Sequence, residues 1–292
     1  MFERVAEVCV STEHSTSLRL MTIYAHPDDE AFSGAGTLAR ATRLGRPVAV
    51  VCATRGEEGK IADPALATQE NLGQVREQEL RTAMAAVGVH DVTFLDYIDG
   101  HLAEADQEEA LGKVVAQIRH FQPDVVLTFD PKGGYGHVDH MAIHRLAVAG
   151  VAAAADPARF PEQISQGARP HRVRKVYYSA FPRERMLEMR DQMRARGQDF
   201  IPGGDEATIP VEEMGYPLAE IGTRITLNDE EFAAKFAAVS AHKTQLPADN
   251  PWAQATMEQL RAYMGTEMFV LARPPISDRD YPMPEDDVFA GL

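Results

Sequence analysis

A short run of metal-binding residue types follows directly on the first apolar segment of the chain. Residues 20–25 are mostly apolar, and His26, Pro27, Asp28, Asp29 and Glu30 come next. Imidazole nitrogens and carboxylate oxygens are donors that Zn²⁺ takes in catalytic sites. A helix cap would account for one aspartate here, but not for the histidine and the second aspartate. We interpret the run as a source of metal ligands and acid–base groups.

A second cluster of the same chemistry contains His137, Asp139 and His140, after a glycine-rich loop at residues 130–136. Two histidines three residues apart share one face of a helical turn. A lone pair at this spacing is a weak signal, but the two clusters together supply the three protein ligands that catalytic zinc usually keeps. The residues by themselves leave open which histidine of the second cluster binds the metal.

An alternation of strand-like and helix-like segments positions both clusters. Apolar runs predict strands at residues 20–25, 48–53, 92–95, 125–129 and 173–179. Helical spacing predicts helices at residues 31–44, 71–87, 107–121 and 139–155. This order predicts an α/β fold, with a Rossmann-like, mostly parallel sheet and helices on both faces. Ligands in such folds bind beyond the carboxyl ends of the strands, which is where both clusters lie.

The pattern predicts three parts of the chain. Residues 1–20 are expected to be an N-terminal tail, residues 21–181 the Rossmann-like catalytic core, and residues 182–292 a C-terminal extension packing on the same domain. Within the extension, residues 183–196 predict a solvated helix and residues 201–216 an extended loop or lid. Residues 223–227 and 229–241 predict a further strand and helix.

Composition excludes several partners. The net charge is −15, which argues against nucleic acid and anionic membranes, because both require a basic face. No apolar stretch approaches the roughly 20 residues of a membrane span, and the first 18 residues do not have the pattern of a signal peptide. Cys9 and Cys52 lie far apart and suggest no disulfide framework, so we expect a cytoplasmic protein.

Two motifs carry a resemblance to a known family. AHPDDE at residues 25–30 and GYGHVDH at residues 134–140 closely resemble the LmbE-like, or PIG-L-like, N-deacetylases, over about residues 21–155. The resemblance implies a site that uses Zn²⁺, with Fe²⁺ as the alternative metal, and an amino-sugar substrate. It also favours a homo-oligomer. The implied zinc ligands are His26, Asp29 and His140.

The resemblance also implies roles for other residues of the two motifs. Asp28 is expected to be the general base that activates water. His137 is expected to stabilise the oxyanion and to protonate the leaving amine. Asp139 is expected to orient a histidine, as metal-site imidazoles usually require.

Three further positions match the family less firmly. Arg55 resembles a sugar-binding arginine, with a surface ion pair to Glu57 or Glu58 as the alternative. Tyr135 resembles a mobile tyrosine that approaches the reacting carbonyl, with local packing as the alternative. His242 and Gln245 lie in a patch, residues 241–245, whose role the sequence leaves open between site and structure.

These observations predict a zinc-dependent hydrolase that removes an acyl group, acetyl above all, from the nitrogen of an amino-sugar-like small molecule. A thiol-conjugate amidase of the same family is the nearest rival, because it uses the same zinc chemistry on a bulkier amide. A non-catalytic metal- or sugar-binding module is a rival from another class, but it would not need Asp28 beside Asp29. A nucleotide-binding protein is disfavoured, since no G-x-G-x-x-G follows the first strand.

Overall fold

The structure is a computed structural model that describes residues 17–200, 202–247, 255–274 and 284–292. Most of the predicted N-terminal tail, and Cys9 with it, lies outside these residues. None of the helices in the described ranges is long and apolar enough to cross a membrane.

A single seven-stranded sheet organises the described residues, in the order β3-β2-β1-β4-β5-β7-β6. Its strands are β1 Leu20–Tyr24, β2 Val48–Thr54, β3 Asp91–Tyr97, β4 Val125–Thr128, β5 Lys175–Ser179, β6 Thr223–Thr226 and β7 Thr266–Arg273. The first five strands are parallel, and β7 runs antiparallel to both β5 and β6. The predicted α/β fold with a mostly parallel sheet is confirmed.

Helices cover both faces of the sheet. They are α1 Asp29–Arg43, α2 Leu72–Ala86, α3 Gln107–Phe121, α4 Gly133–Gly136, α5 Val138–Ala154, α6 Pro161–Ser165, α7 Arg183–Ala195, α8 Asp229–Ala241 and α9 Met257–Met264. Successive residues of a strand point to opposite faces. Leu20 of β1 therefore packs in the apolar core with α1, α2 and α8, whereas Met21 packs with α3 and α5.

Local sequence explains several helix starts. Helix α3 begins after Asp106, whose carboxylate accepts hydrogen bonds from the N–H groups of Glu108 and Glu109. Helix α8 begins after Asn228, which forms a capping box with Glu231. Helix α7 contains no buried residue, in agreement with the predicted solvated helix.

Strand β7 is the main element that the sequence did not predict. Its residues alternate between partial and nearly full burial, and one of the buried positions is Glu267. A buried glutamate breaks the apolar alternation by which a strand is recognised. Its insertion between β5 and β6 depends on pairing with distant segments, which local spacing does not reveal.

Candidate active site

Three metal-donor side chains meet where β1 and β4 end. His26 follows β1, Asp29 opens α1, and His140 lies in the first turn of α5. The Nδ1 atom of His26 is 3.1 Å from Nε2 of His140 and 3.7 Å from Oδ2 of Asp29. Oδ1 of Asp29 is 3.4 Å from the same His140 nitrogen. All three side chains are buried.

Hydrogen bonds on the far side of each ring fix the two imidazole tautomers. Nε2 of His26 lies 2.9 Å from Oδ1 of Asp99 and 3.4 Å from Oδ2 of Asp139. Since ionised carboxylates only accept, this nitrogen carries the proton. Nδ1 of His140 donates to the carbonyl of Gly133 at 3.2 Å by the same reasoning. In neutral rings, the lone pairs of His26 Nδ1 and His140 Nε2 then face each other.

Two lone pairs 3.1 Å apart repel each other unless a proton or a cation lies between them. Asp29 adds negative charge at the same point. Burial raises the pKa of Asp29 to about 8, although His26 opposes the shift. For His26, burial would lower the pKa, but hydrogen bonds to Asp139 and Asp99 raise it to about 10. A proton on Nδ1 of His26, or a divalent cation in its place, satisfies this arrangement, so the three residues form a candidate His/His/Asp metal site.

Two other donor groups occur among the described residues, one of His26, His137 and His140 and the other of His26, Asp99 and Asp139. The second group is less suited to a metal, because the Asp139 carboxylate already accepts from the N–H groups of Gly100, at 2.7 Å, and Leu102, at 3.1 Å. Asp139 thus holds His26 in place. Its contact with an imidazole has the form expected for an orienting carboxylate.

Asp28 lies beside the donors in a strained backbone conformation. Its φ is +115°, a region that non-glycine residues adopt rarely and at a cost of about 1–3 kcal/mol. Burial raises the pKa of Asp28, while Arg76 opposes the rise. The Arg76 guanidinium reaches Oδ2 of Asp28 at 3.3 Å and donates to the carbonyl of Pro27 at 2.7 Å. The turn is therefore clamped from α2.

His137 caps helix α5 and faces the same space. Its Nδ1 accepts from the backbone N–H of Asp139 at 3.1 Å, so the neutral ring carries its proton on Nε2. The ring packs edge-on against His26, with centroids 4.7 Å apart. Burial and the neighbouring His26 lower the pKa of His137. The residue is thus a neutral hydrogen-bond donor in this arrangement.

Tyr135 closes one side of the cluster. Its ring centroid is 5.2 Å from that of His140. The flanking Gly134 and Gly136 have φ values of +70° and +92°, which L side chains rarely adopt. Thr208, in the predicted lid, donates from its backbone N–H to the Tyr135 carbonyl at 3.1 Å and from Oγ1 to the Gly136 carbonyl at 2.6 Å. The segment around Thr208 and the tyrosine segment are therefore hydrogen-bonded to each other.

Arg55 has a different environment from the other predicted residues. Its Nε is 2.6 Å from Oε2 of Glu77, its Nη1 is 2.5 Å from Oδ1 of Asp96, and its guanidinium lies over the ring of Phe94. These contacts favour the ion-pair alternative, although with partners other than Glu57 and Glu58. The arginine that reaches the Asp28 turn is Arg76.

Sequence reasoning missed Arg76 and Asp99, and each had a signal. Arg76 lies four residues from both Leu72 and Leu80, which are buried, so it occupies the inward face of an amphipathic helix. Asp99 comes two residues after β3, at a strand end like the two clusters. A positively charged residue on the buried face of a helix and a carboxylate just after a strand both indicate a place in the site.

Comparisons with known proteins identify the family of this chain. A family model described as PIG-L: GlcNAc-PI de-N-acetylase matches residues 21–151. The 1D-myo-inositol 2-acetamido-2-deoxy-alpha-D-glucopyranoside deacetylase of Streptomyces avermitilis is 36% identical, over 94% of this chain and 97% of that protein. The mycothiol S-conjugate amidase of Streptomyces coelicolor is 32% identical, over 94% and 97% respectively.

Among solved structures, the N,N'-diacetylchitobiose deacetylase of Pyrococcus horikoshii is similar, with a TM-score of 0.64 and 21% sequence identity. The match covers 88% of this chain and 84% of that one. At this level of identity the similarity concerns the fold.

Proposed function

Because this chain belongs to the PIG-L family of de-N-acetylases, we propose that it hydrolyses the N-acetyl amide of a small amino-sugar conjugate. It is an amide hydrolase of the N-deacetylase class. The observation that carries the proposal is the pair of imidazole nitrogens facing each other at 3.1 Å, with Asp29 completing the donors and Asp28 beside them. A binding module would have no use for a strained aspartate next to the metal ligands.

The metal we propose is Zn²⁺, held by His26, Asp29 and His140. Two nitrogens and one carboxylate oxygen are a common donor set for catalytic zinc, and Fe²⁺ accepts the same donors. When bound, Zn²⁺ would act as a Lewis acid, lowering the pKa of water and polarising the amide carbonyl. Asp99 and Asp139 support this role by holding His26 with Nδ1 turned toward the other donors.

Asp28 is the proposed general base. Its carboxylate takes a proton from the water that attacks the amide carbonyl. Arg76, 3.3 Å away, favours the ionised form that accepts the proton. Asp28 precedes α1 with a positive φ, and its side chain makes no capping hydrogen bond to that helix, so its carboxylate is not used as a helix cap.

His137 is the proposed oxyanion donor. Its Nε2 proton is available for the negative charge that develops on the carbonyl oxygen, and one such donor typically contributes about 2.7–4 kcal/mol. The sequence resemblance also assigned it the protonation of the amine. A second ring proton at Nδ1 would break the bond from the Asp139 N–H, so we propose that Asp28 returns its proton to the departing nitrogen.

We propose a substrate close to 1D-myo-inositol 2-acetamido-2-deoxy-alpha-D-glucopyranoside, on which the Streptomyces avermitilis relative is named to act. A second candidate is an S-conjugate amide, because the amidase of Streptomyces coelicolor is nearly as similar. The lid segment around Thr208 lies against the Tyr135 side of the site and would limit the size of the acyl group. A homo-oligomer remains part of the proposal.

Purified protein loaded with Zn²⁺ tests the function directly. Acetate and free amine should appear in equal amounts from the acetylated glucosaminyl-inositol, and much more slowly from a mycothiol S-conjugate. Metal content is measured in parallel: His26→Ala and His140→Ala should each lose bound zinc. Full zinc occupancy in both variants, or turnover of the S-conjugate alone, would contradict the assignment.

A further inference from the structure

His242 is a buried residue whose ring nitrogens make no hydrogen bond within the described residues. It ends helix α8 and is 0% exposed. Its Nε2 lies 3.6 Å from Oε1 of Glu30, which is also 0% exposed. Among the residues that the structure describes, neither ring nitrogen of His242 nor either carboxylate oxygen of Glu30 has a hydrogen-bond partner. Buried polar groups are nearly always bonded, so each exception calls for an explanation.

The position of Glu30 suggests that explanation. Glu30 belongs to the turn that carries Asp28 and Asp29, and its carboxylate lies against His242. The backbone of this turn is strained at Asp28, with φ at +115°. Such strain persists only where surrounding contacts over-determine the conformation. The buried pair of Glu30 and His242 is one of the contacts available to do so.

The residues that follow His242 are hydrogen-bonded to α2 and to the loop after β2. Thr244 donates to Glu79 of α2 from its backbone N–H at 2.8 Å and from Oγ1 at 2.6 Å. Its carbonyl accepts from the N–H of Ala62 at 2.8 Å. Gln245 donates to the carbonyl of Lys60 at 3.1 Å. The His242–Gln245 segment thus ties α8 to α2 and to the loop that follows β2.

Arg76 connects the His242–Gln245 segment to Asp28, since it lies on α2 one helical turn before Glu79, which Thr244 contacts. Its guanidinium donates to the carbonyls of Pro27 and Gly56 at 2.7 and 2.9 Å and contacts Asp28. A Cβ added to Gly56 would come within 2.2 Å of that guanidinium, so the loop packs tightly on it. The Asp28 turn is held by Arg76 on one side and by Glu30 with His242 on another.

We propose that His242 is a positioning residue, which acts through Glu30 to hold the Asp28 turn in the conformation that places the general base. The proposal rests on the proposed function, in which Asp28 is that base. It gives a role to the late sequence patch at residues 241–245. His242 is not assigned any contact with substrate.

The test uses full-length, zinc-loaded variants. His242→Phe keeps a ring but removes both nitrogens, and it should lower kcat by about 10- to 100-fold, as expected for a small misplacement of a catalytic group. KM should stay within about twofold of its original value, because no substrate contact is lost. His242→Gln, which keeps a polar group opposite Glu30, should recover part of kcat. Zinc content should not change in either variant.

Ala238→Gly is the matched control, because Ala238 is a buried residue of the same helix without a polar contact. It should lower thermal stability and leave kcat unchanged. If Ala238→Gly and His242→Phe lower kcat alike, the effect of His242 is general destabilisation and the positioning role is wrong. If His242→Phe fails to fold, Glu30→Gln tests the same contact from the other side, with the same expected split between kcat and KM.

A double-mutant cycle separates this inference from the proposed function. Added to Asp28→Asn, His242→Phe should have no further effect on kcat, because it acts only through Asp28. An equal loss in both backgrounds would overturn the positioning role and leave the base assignment intact. If Asp28→Asn alone retains full kcat, the base assignment fails, and the positioning role fails with it.

Discussion

Two buried polar regions of this molecule use similar side chains in opposite ways. The first, the metal-facing cluster, consists of His26, Asp28, Asp29 and His140. The second, the Glu267 network, joins β7 to α1 and α8. In the network, Glu267 accepts from the N–H groups of Gly36 and Thr37, from the Thr37 hydroxyl and from Lys235, all at 2.5–2.8 Å. Every lone pair there has a donor from the protein itself.

The metal-facing cluster is arranged differently. The imidazole nitrogens of His26 and His140 face each other at 3.1 Å, and the Asp28 carboxylate lies 3.3 Å from the Arg76 guanidinium. Both regions are buried, so burial alone does not identify a functional site. In the Glu267 network the protein supplies a donor to every lone pair of the carboxylate, whereas the metal-facing cluster turns two imidazole nitrogens and the Asp29 carboxylate toward one another, which suits a bound cation.

The largest expected effect separates two adjacent residues of the metal-facing cluster. Asp28→Asn keeps the shape of the side chain but removes its basic site, so kcat should fall by about 10²–10⁴-fold while zinc remains bound. Asp29→Asn should instead weaken metal binding, and excess zinc should restore part of its activity. Elemental analysis and steady-state kinetics provide the measurements. Loss of zinc from Asp28→Asn with retention in Asp29→Asn would mean that the two roles are exchanged.

Mutation of the Glu267 network should lower the stability of the fold and leave the activity of the folded protein unchanged. Glu267→Ala leaves Lys235 buried without its charge partner, and breaking a buried pair in this way costs about 3–5 kcal/mol of unfolding free energy. Urea denaturation measures the loss. Below the unfolding transition, the variant should keep its zinc content and its kcat. A kcat that falls while the protein is still folded would show that the two regions are not independent.

A third prediction concerns how the stability of the fold depends on pH through the buried carboxylate of Glu231. Burial would raise the pKa of Glu231, but hydrogen bonds from Arg40, the Asn228 backbone and Arg43 lower it to about 2. A lowered carboxylate pKa stabilises the fold above the unfolded value of about 4.5, and this stabilisation is lost as the pH falls toward 2. The shift corresponds to about 3 kcal/mol.

The stability difference between wild type and Glu231→Gln measures this contribution, because other titrating groups cancel. The difference should be largest near pH 7 and should shrink steadily below about pH 4.5. If it is constant between pH 6 and pH 3, the ion pairs of Glu231 with Arg40 and Arg43 do not set its pKa.

Arg55 is expected to give the smallest effect. In the structure its guanidinium pairs with Glu77 and Asp96 and is 34% exposed. Such exposed pairs contribute less than about 1 kcal/mol, so Arg55→Ala should change stability little and leave KM near its original value. A clear rise in KM for the amino-sugar substrate, with zinc content unchanged, would instead support the sugar-binding role that the sequence suggested.

The residues that sequence and structure place alike owe their positions to local rules. His26, Asp28 and Asp29 follow a parallel strand, and His137, Asp139 and His140 follow another. Because β1 and β4 are neighbours, their carboxyl ends meet at one edge of the sheet. Apolar runs, helix starts and turn glycines are features of consecutive residues, so the sequence by itself determined the fold class and the position of each cluster at a strand end.

The tertiary structure alone decided the contacts made across long stretches of chain. Arg76 reaches Asp28, Asp99 holds His26, and His242 faces Glu30 across more than 200 positions. Strand β7 lies between β5 and β6 in the sheet, which likewise depends on pairing between distant segments. These arrangements depend on which surfaces pack together and which buried charges remain without partners. Local helix and strand propensities do not reveal which surfaces pack or which buried charges are paired, because both are properties of the folded chain as a whole.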